Sequence, residues 1–206
     1  MILALAIGGI WGIWEIRGGW DVATNNVVVR VNDGDTFQLA SGKRVRLMGV
    51  DSPEYGSCGA DAAKKFLTGL VLNKVVRLEN ETTEAYGRSL ANVYVDGAYI
   101  NEKIMAAGFA RPDYRPNRYR DQLTAAFHLA KNAKLGAWSD ECQNGLPPQK
   151  DCVIKGNIDQ QTYEKFYHLP KCRHYNQIQL NLAFGERWFC SEAEATAAGF
   201  KRGGGC

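Results

Sequence analysis

Residues 32–54, NDGDTFQLASGKRVRLMGVDSPE, gather several groups able to do chemistry. Asp33-Gly34-Asp35-Thr36 opens an alternating run, Ser41-Gly42-Lys43 supplies a turn, and Arg44 to Val50 leads into Asp51-Ser52-Pro53-Glu54. The runs on either side of the turn predict two strands of a hairpin. Asp35 then stands near the start of one strand and Asp51 at the end of the other. With those ends on one rim, Asp35, Asp51, Glu54 and Arg46 share a small site. Carboxylate oxygens are hard ligands suited to calcium or magnesium. An arginine is no metal ligand, but its planar fork matches a phosphate in two-point fashion. Cation, arginine and a spare carboxylate together suit phosphodiester hydrolysis. The cation polarises a phosphoryl oxygen, the arginine neutralises charge, and the carboxylate orients or deprotonates a water. Asp-Gly is also common turn chemistry, so DGDT alone fits a plain surface hairpin equally well.

The flanking sequence predicts the scaffold. Val27 to Val31 is β-branched and reads as a strand before the hairpin. Tyr55 to Gly59 reads as a loop. Residues 60–72 read as a helix, with Ala63, Phe66, Leu67, Leu70 and Val71 at helical spacing. Lys74 to Glu79 is a predicted fourth strand, Asn80 to Ala85 a polar turn, and Arg88 to Val95 a fifth strand. Tyr99 to Ala107 is a short helix stopped by Gly108. Arg111-Pro112-Asp113-Tyr114-Arg115-Pro116 holds two prolines and reads as a loop. Its interleaved basic and aromatic residues suit a nucleotide, by charge and stacking. A last helix from about Asn117 to Leu135 buries Leu123, Ala126, Phe127 and Ala130. Gly136 ends it, and Trp138 packs back on the body.

The segments VNDGDTFQL, VRLMGVDSPE, AYGRSLANVYVDG and, more loosely, INEKIMAAGFARPDY and LGAWSDEC occur in this order between Val27 and Cys142. They resemble the thermonuclease family, also called micrococcal or staphylococcal nucleases. The resemblance implies an α+β fold: a five-stranded OB-fold β-barrel with about three helices. It also implies a calcium-dependent nuclease acting on DNA and RNA and leaving 3′-phosphates. Matched residue by residue, Asp35 and Asp51 stand where the family has its metal carboxylates. Ser52 replaces the usual threonine, which contributes its backbone carbonyl. Glu54 matches the catalytic glutamate, and Arg46 and Arg88 the phosphate-binding arginines. Tyr86 and Tyr114 stand where family tyrosines line the nucleotide pocket. In isolation Arg88 would read as a solvated arginine.

Composition sets the outer bounds. The chain has 206 residues, 45% hydrophobic and 23% charged, an ordinary globular balance that excludes wholesale disorder. The net charge of +3 divides into −1 for residues 1–24, +2 for 25–142 and +2 for 143–206. That is too mild to mark a nucleic-acid partner, so clustered arginines would have to do the steering. Within residues 25–142 the only histidine is His128, inside a predicted helix and read as structural. Histidine-dependent nuclease chemistry, a serine triad and a phosphate-cradling P-loop therefore have no residues to use.

The ends differ from this middle. Met1 to Trp14 is uncharged and mostly apolar, short of a membrane span but of a length for a signal peptide's apolar region. We read residues 1–16 as a membrane anchor or signal-like segment, within an N-terminal segment and linker covering 1–24. Either implies export, to the outside or the outer face of the cell membrane. Residues 25–142 form the nuclease-like unit, 143–150 a linker with Pro147-Pro148, and 151–206 a small cysteine-containing α+β module. The whole is expected to be a monomer. The last part resembles the small module called a sunset domain and the zinc module of bacterial alkylation-response proteins. That resemblance implies His168, Cys172 and Cys206 as zinc ligands, with Gly203 where a fourth should stand and Cys190 or Cys152 available to complete the set. Six cysteines in a chain that looks exported favour disulfides over zinc, with Cys58–Cys142 the expected pair. Ser191 to Ala198 reads as a short capped helix. Two rival functions are a non-catalytic OB-type nucleic-acid-binding module and a surface adhesion protein worked by its tail. Retention of all five charged site positions argues for the enzyme.

Overall fold

The computed structural model describes residues 25–84, 87–113, 115–143, 145–159 and 162–206. The predicted hairpin is present, as β2 (Thr36–Leu39) and β3 (Arg44–Leu47), preceded by β1 (Val28–Val31). The short β4 (Val50–Asp51) leads through the Pro53 loop into α1 (Ala60–Val71). Then follow β5 (Arg77–Thr83), β6 (Ser89–Val95), β7 (Ala98–Tyr99), α2 (Ile100–Ala106), β8 (Arg111–Pro112), α3 (Arg120–Asn132) and α4 (Asp140–Gln143). The tail adds β9 (Ile154–Ile158), β10 (Lys165–His168), β11 (Arg187–Phe189), α5 (Glu192–Ala197) and β12 (Lys201–Arg202). The fold is α+β, with mixed sheets and five helices among the described residues.

The main sheet runs β1-β2-β3-β6-β5, with β7 on β6. β3 and β6 are parallel, with Arg46 opposite Leu90, and every other pairing in this sheet is antiparallel. A bridge from Val27 to Val75 ties the approach to β5 back to the start of β1. Phe37, Leu39, Val45 and Leu47 fill the core from the sheet, and Leu67, Ile104, Leu123 and Trp138 from the helices. Removing a large apolar side chain from water contributes about 1.5–3 kcal/mol, so this cluster is what holds the sheet on its helices. The chain also crosses itself tightly at Gly108, where a Cβ would lie 2.3 Å from the Leu135 carbonyl oxygen.

Some boundaries differ from expectation. β5 starts at Arg77 and runs through Thr83, across what reads as a polar turn. Its residues are mostly exposed on the sheet edge, so no hydrophobic alternation marks it, and Asn80 with φ +53° sits in its bulge. α3 is shorter than Asn117 to Leu135, because Asn117 folds back to accept the Tyr119 amide at its side-chain oxygen, 3.0 Å. Arg111–Pro112 is extended and pairs with Val50–Asp51 rather than forming open loop. A second sheet, β11-β9-β10-β12, has its own small core around Ile154, Tyr167, Phe189 and Phe200. No described helix is long and apolar enough to cross a membrane. The apolar start of the chain lies outside the described residues.

Candidate active site

Asp35 is 2% exposed and its carboxylate meets four donors. Oδ1 accepts from Arg46 Nη1 and from the Thr36 hydroxyl, both at 2.8 Å. Oδ2 accepts from the Ser52 amide at 3.0 Å and its hydroxyl at 3.2 Å. The other arm of Arg46 donates to Asp51 Oδ1 at 3.0 Å and to the Val50 carbonyl at 3.3 Å. Both carboxylates therefore converge on one guanidinium. Burial pushes the Asp35 carboxyl up to about 7, with Arg46 pulling it down and Asp33 adding to the rise.

Local structure explains the convergence. The Asp33 carboxylate accepts the amides of Asp35 (3.0 Å) and Thr36 (2.7 Å), which fixes the turn into β2. Gly34 lets that turn press on the α1 side of the site, since a Cβ there would meet Ala63 and Ser52 at 2.7 and 2.8 Å. Thr36 lies opposite Arg46 in the β2·β3 register, so Asp35 stands beside Arg46 across the hairpin. The turn from β3 to β4 is pinned from below. Buried Asn101 donates to the Met48 carbonyl at 2.9 Å and accepts from the Val93 amide at 2.9 Å, and Asn117 donates to the same Met48 oxygen at 3.1 Å. Gly49, at φ +76°, completes that turn and delivers Asp51.

The remaining expected residues are placed differently. Glu54 is exposed on the loop after β4, and no hydrogen bond or ion pair holds its carboxylate among the described residues. Arg88 precedes β6 and pairs with Glu84. Glu84 also takes Arg115 at 2.8 Å, and Arg115 Nε reaches Asp113 at 2.6 Å. Burial works to raise the Glu84 carboxyl, but hydrogen bonds from Arg115 and Arg88 outweigh it and hold it below its ordinary value. Thus Asp35, Arg46, Asp51 and Ser52 are in direct contact, while Arg88 belongs to a second ionic group. Tyr86 and Tyr114 lie outside the described residues.

The model of the family described as staphylococcal nuclease homologue matches residues 44–140, which include Arg46, Asp51, Glu54 and Arg88. A thermonuclease of Staphylococcus hyicus is 38% identical over 130 residues, 55% of this chain and 75% of its own length. The chain belongs to the staphylococcal nuclease family. A thermonuclease of Staphylococcus intermedius is 36% identical over 54% of this chain and 74% of its own length. The endonuclease YncB of Bacillus subtilis is 38% identical over 56% and 62%.

Against this family frame, Arg111 is the residue that sequence reasoning missed. Its Nε donates to Asp51 Oδ2 at 2.8 Å, so two arginines from different strands grip one carboxylate. The only sign in the sequence is its place in the basic loop before Pro112. Asn101 and Asn117 were also missed; an asparagine among apolar residues at the start of α2 is the available signal. The donor set fits a hard cation. Two carboxylates already meet at one positive group, and a cation would relieve the cost of the charge on buried Asp35.

The zinc set is not assembled. Cys172 is bonded to Cys206 and Cys190 to Cys152, so none of these sulfurs is a thiolate free to ligate. His168 lies close to the Cys172–Cys206 pair, and its Nε2 meets Asn157 Oδ1 at 3.0 Å. Cys58 and Cys142 form the third disulfide, and the described residues contain no free cysteine.

Proposed function

We propose that the protein is a calcium-dependent nuclease that hydrolyses phosphodiester bonds of DNA and RNA. The convergence of Asp35 and Asp51 on Arg46, with an unengaged carboxylate at Glu54 on the adjoining loop, carries this reading. Asp35 and Asp51 would hold the calcium ion, with Ser52 contributing through its backbone carbonyl. When bound, the ion supplies Lewis-acid polarisation of a phosphoryl oxygen.

The chain's own residues do the rest. Arg46 lies between the two carboxylates and offers its guanidinium to the phosphate. Arg88 supplies a second guanidinium once the phosphate displaces Glu84. Two such donors neutralise the charge that grows on the phosphorane oxygens. Glu54, exposed and unpaired, orients the attacking water and takes its proton. The family resemblance gives Tyr86 and Tyr114, outside the described residues, a role in nucleotide binding. The three disulfides suit an oxidising compartment, which supports export, with residues 1–16 as signal or anchor. The enzyme acts as a monomer.

The test is plasmid and RNA digestion with calcium and then with chelator, on the parent and on Glu54→Gln. Calcium-dependent cleavage that falls by about 10²–10⁴ in the variant is expected. Equal cleavage by both proteins removes the mechanism, and none by the parent removes the function.

A further inference from the structure

The geometry points to the C-terminal part of the chain as a brace on the metal-binding site: Phe184 fixes the Arg111 guanidinium, and Arg111 fixes the Asp51 carboxylate. This rests on the reading of Asp51 as a calcium ligand and gives the tail a role in that site.

The two metal carboxylates are held very differently. Asp35 is buried and has four donors. Asp51 is 25% exposed at the side chain, on a two-residue strand paired only with Arg111–Pro112. Its orientation depends on Arg46 at one oxygen and Arg111 at the other. Arg46 is also assigned to the phosphate, so Arg111 is the donor dedicated to Asp51.

A free arginine would be a poor anchor, because its long side chain has many rotamers to lose. Here that freedom is already removed. The Arg111 guanidinium lies over the Phe184 ring, 4.7 Å from its centroid. Phe184 stacks in turn on Trp138, centroids 5.0 Å apart, and Trp138 Nε1 reaches the carbonyl of Ala110, the residue before Arg111, at 3.4 Å. The turn that carries Phe184 is itself fastened. Asn181 Oδ1 accepts the Ala183 amide at 2.9 Å, Glu186 accepts the Asn181 amide at 2.7 Å, and Leu182 O accepts the Cys58 amide at 3.3 Å. Ala183 and Phe184 belong to the main hydrophobic core, not to the tail's own. Arg111 is thus a positioning residue, and Phe184 positions it.

The experiment uses two substitutions that keep the local charge, Arg111→Lys and Phe184→Leu, in the full chain. Lysine loses the planar in-line donor, and leucine keeps apolar bulk without the ring face. Calcium affinity by calorimetry should fall about tenfold in each. Saturating calcium should restore kcat to near the parent value, and the unfolding midpoint in chelator should stay within a few degrees. Phe184→Tyr, which keeps the ring, should bind calcium like the parent. The double variant should lose no more than either single one, because both break one chain of contacts. Unchanged calcium affinity in Arg111→Lys, or additive losses in the double variant, overturns the brace. Should Phe184→Leu fail to fold, Arg111→Lys against Phe184→Tyr decides. A parent that neither binds calcium nor cleaves nucleic acid overturns the nuclease reading and the brace together; a parent that does both, with variants that bind equally tightly, overturns the brace alone.

Discussion

Arg46 and Arg88 are both proposed to bind phosphate, one inside β3 and the other just before its neighbour β6, yet the protein treats them in opposite ways. Arg46 sits inside β3 with its side chain 10% exposed, tied to Asp35, Asp51 and the Val50 carbonyl. Arg88 stands before the first residue of β6, 24% exposed, held by Glu84 in a group that includes Arg115 and Asp113. The first arginine is part of the framework that brings the acids together. The second is held by a carboxylate, Glu84, that has no contact with those acids among the described residues. Of the two arginines, only Arg46 ties the framework of the acid cluster together.

Arg46→Ala should break this contrast most severely. It takes the guanidinium from buried Asp35 and leaves Asp51 with Arg111 alone, and should destabilise the fold by about 3–5 kcal/mol while removing cleavage. Urea unfolding and a digestion assay read the two effects. Arg88→Ala should lower kcat by about 10²–10³ and leave stability within about 1 kcal/mol, since its pairing is partly solvated. A similar stability loss in both variants would erase the distinction.

Asp35→Asn sharpens the same contrast through pH. The Asp35 carboxyl is raised in the folded state to about 7, against an ordinary value of about 3.9 in the unfolded chain. Its contribution is fully present below about pH 4 and is lost as pH rises through the folded value. In chelator the parent should lose stability from about pH 4 to 7 or just above, by at most about 4 kcal/mol, and Asp35→Asn should flatten that slope. Unfolding midpoints across this range check it. Glu84→Gln has the smallest expected effect. It releases Arg88 and should tighten phosphate binding by about two- to fivefold, the worth of ~0.5–1 kcal/mol, read as a lower KM at constant kcat.

Much of the acid–arginine centre was legible because it is local. Asp35, Arg46 and Asp51 lie on one hairpin and the short turn after it, so strand alternation and turn chemistry were enough to bring them together. α1 and α3 were legible because their buried faces repeat at helical spacing. β5 was not, because an exposed edge strand made of RLENETT shows no apolar rhythm. Arg111 and Phe184 were invisible for another reason. Each acts on a residue far away in sequence, and nothing around Arg111-Pro112 or Leu182-Ala183-Phe184 announces which surface it will meet. The second ionic group was missed likewise: Glu84 read as part of a polar turn, and only the return of Arg115 from beyond β8 gives it two partners.

The parallel pairing of β3 with β6 has a consequence for how the molecule comes into being. β2 and β3 can zip up as soon as they are made, but the strand that locks β3 on its other side begins only at Ser89, after β4, α1 and β5 have been synthesised. Such distant contacts form slowly, because the intervening chain must be ordered before they repay the loss of freedom. A nascent chain that has not reached β6 therefore lacks the strand that pairs with Val45, Arg46 and Leu47. The hairpin that carries Asp35 and Arg46 is thus made before the strand that encloses it on its far side.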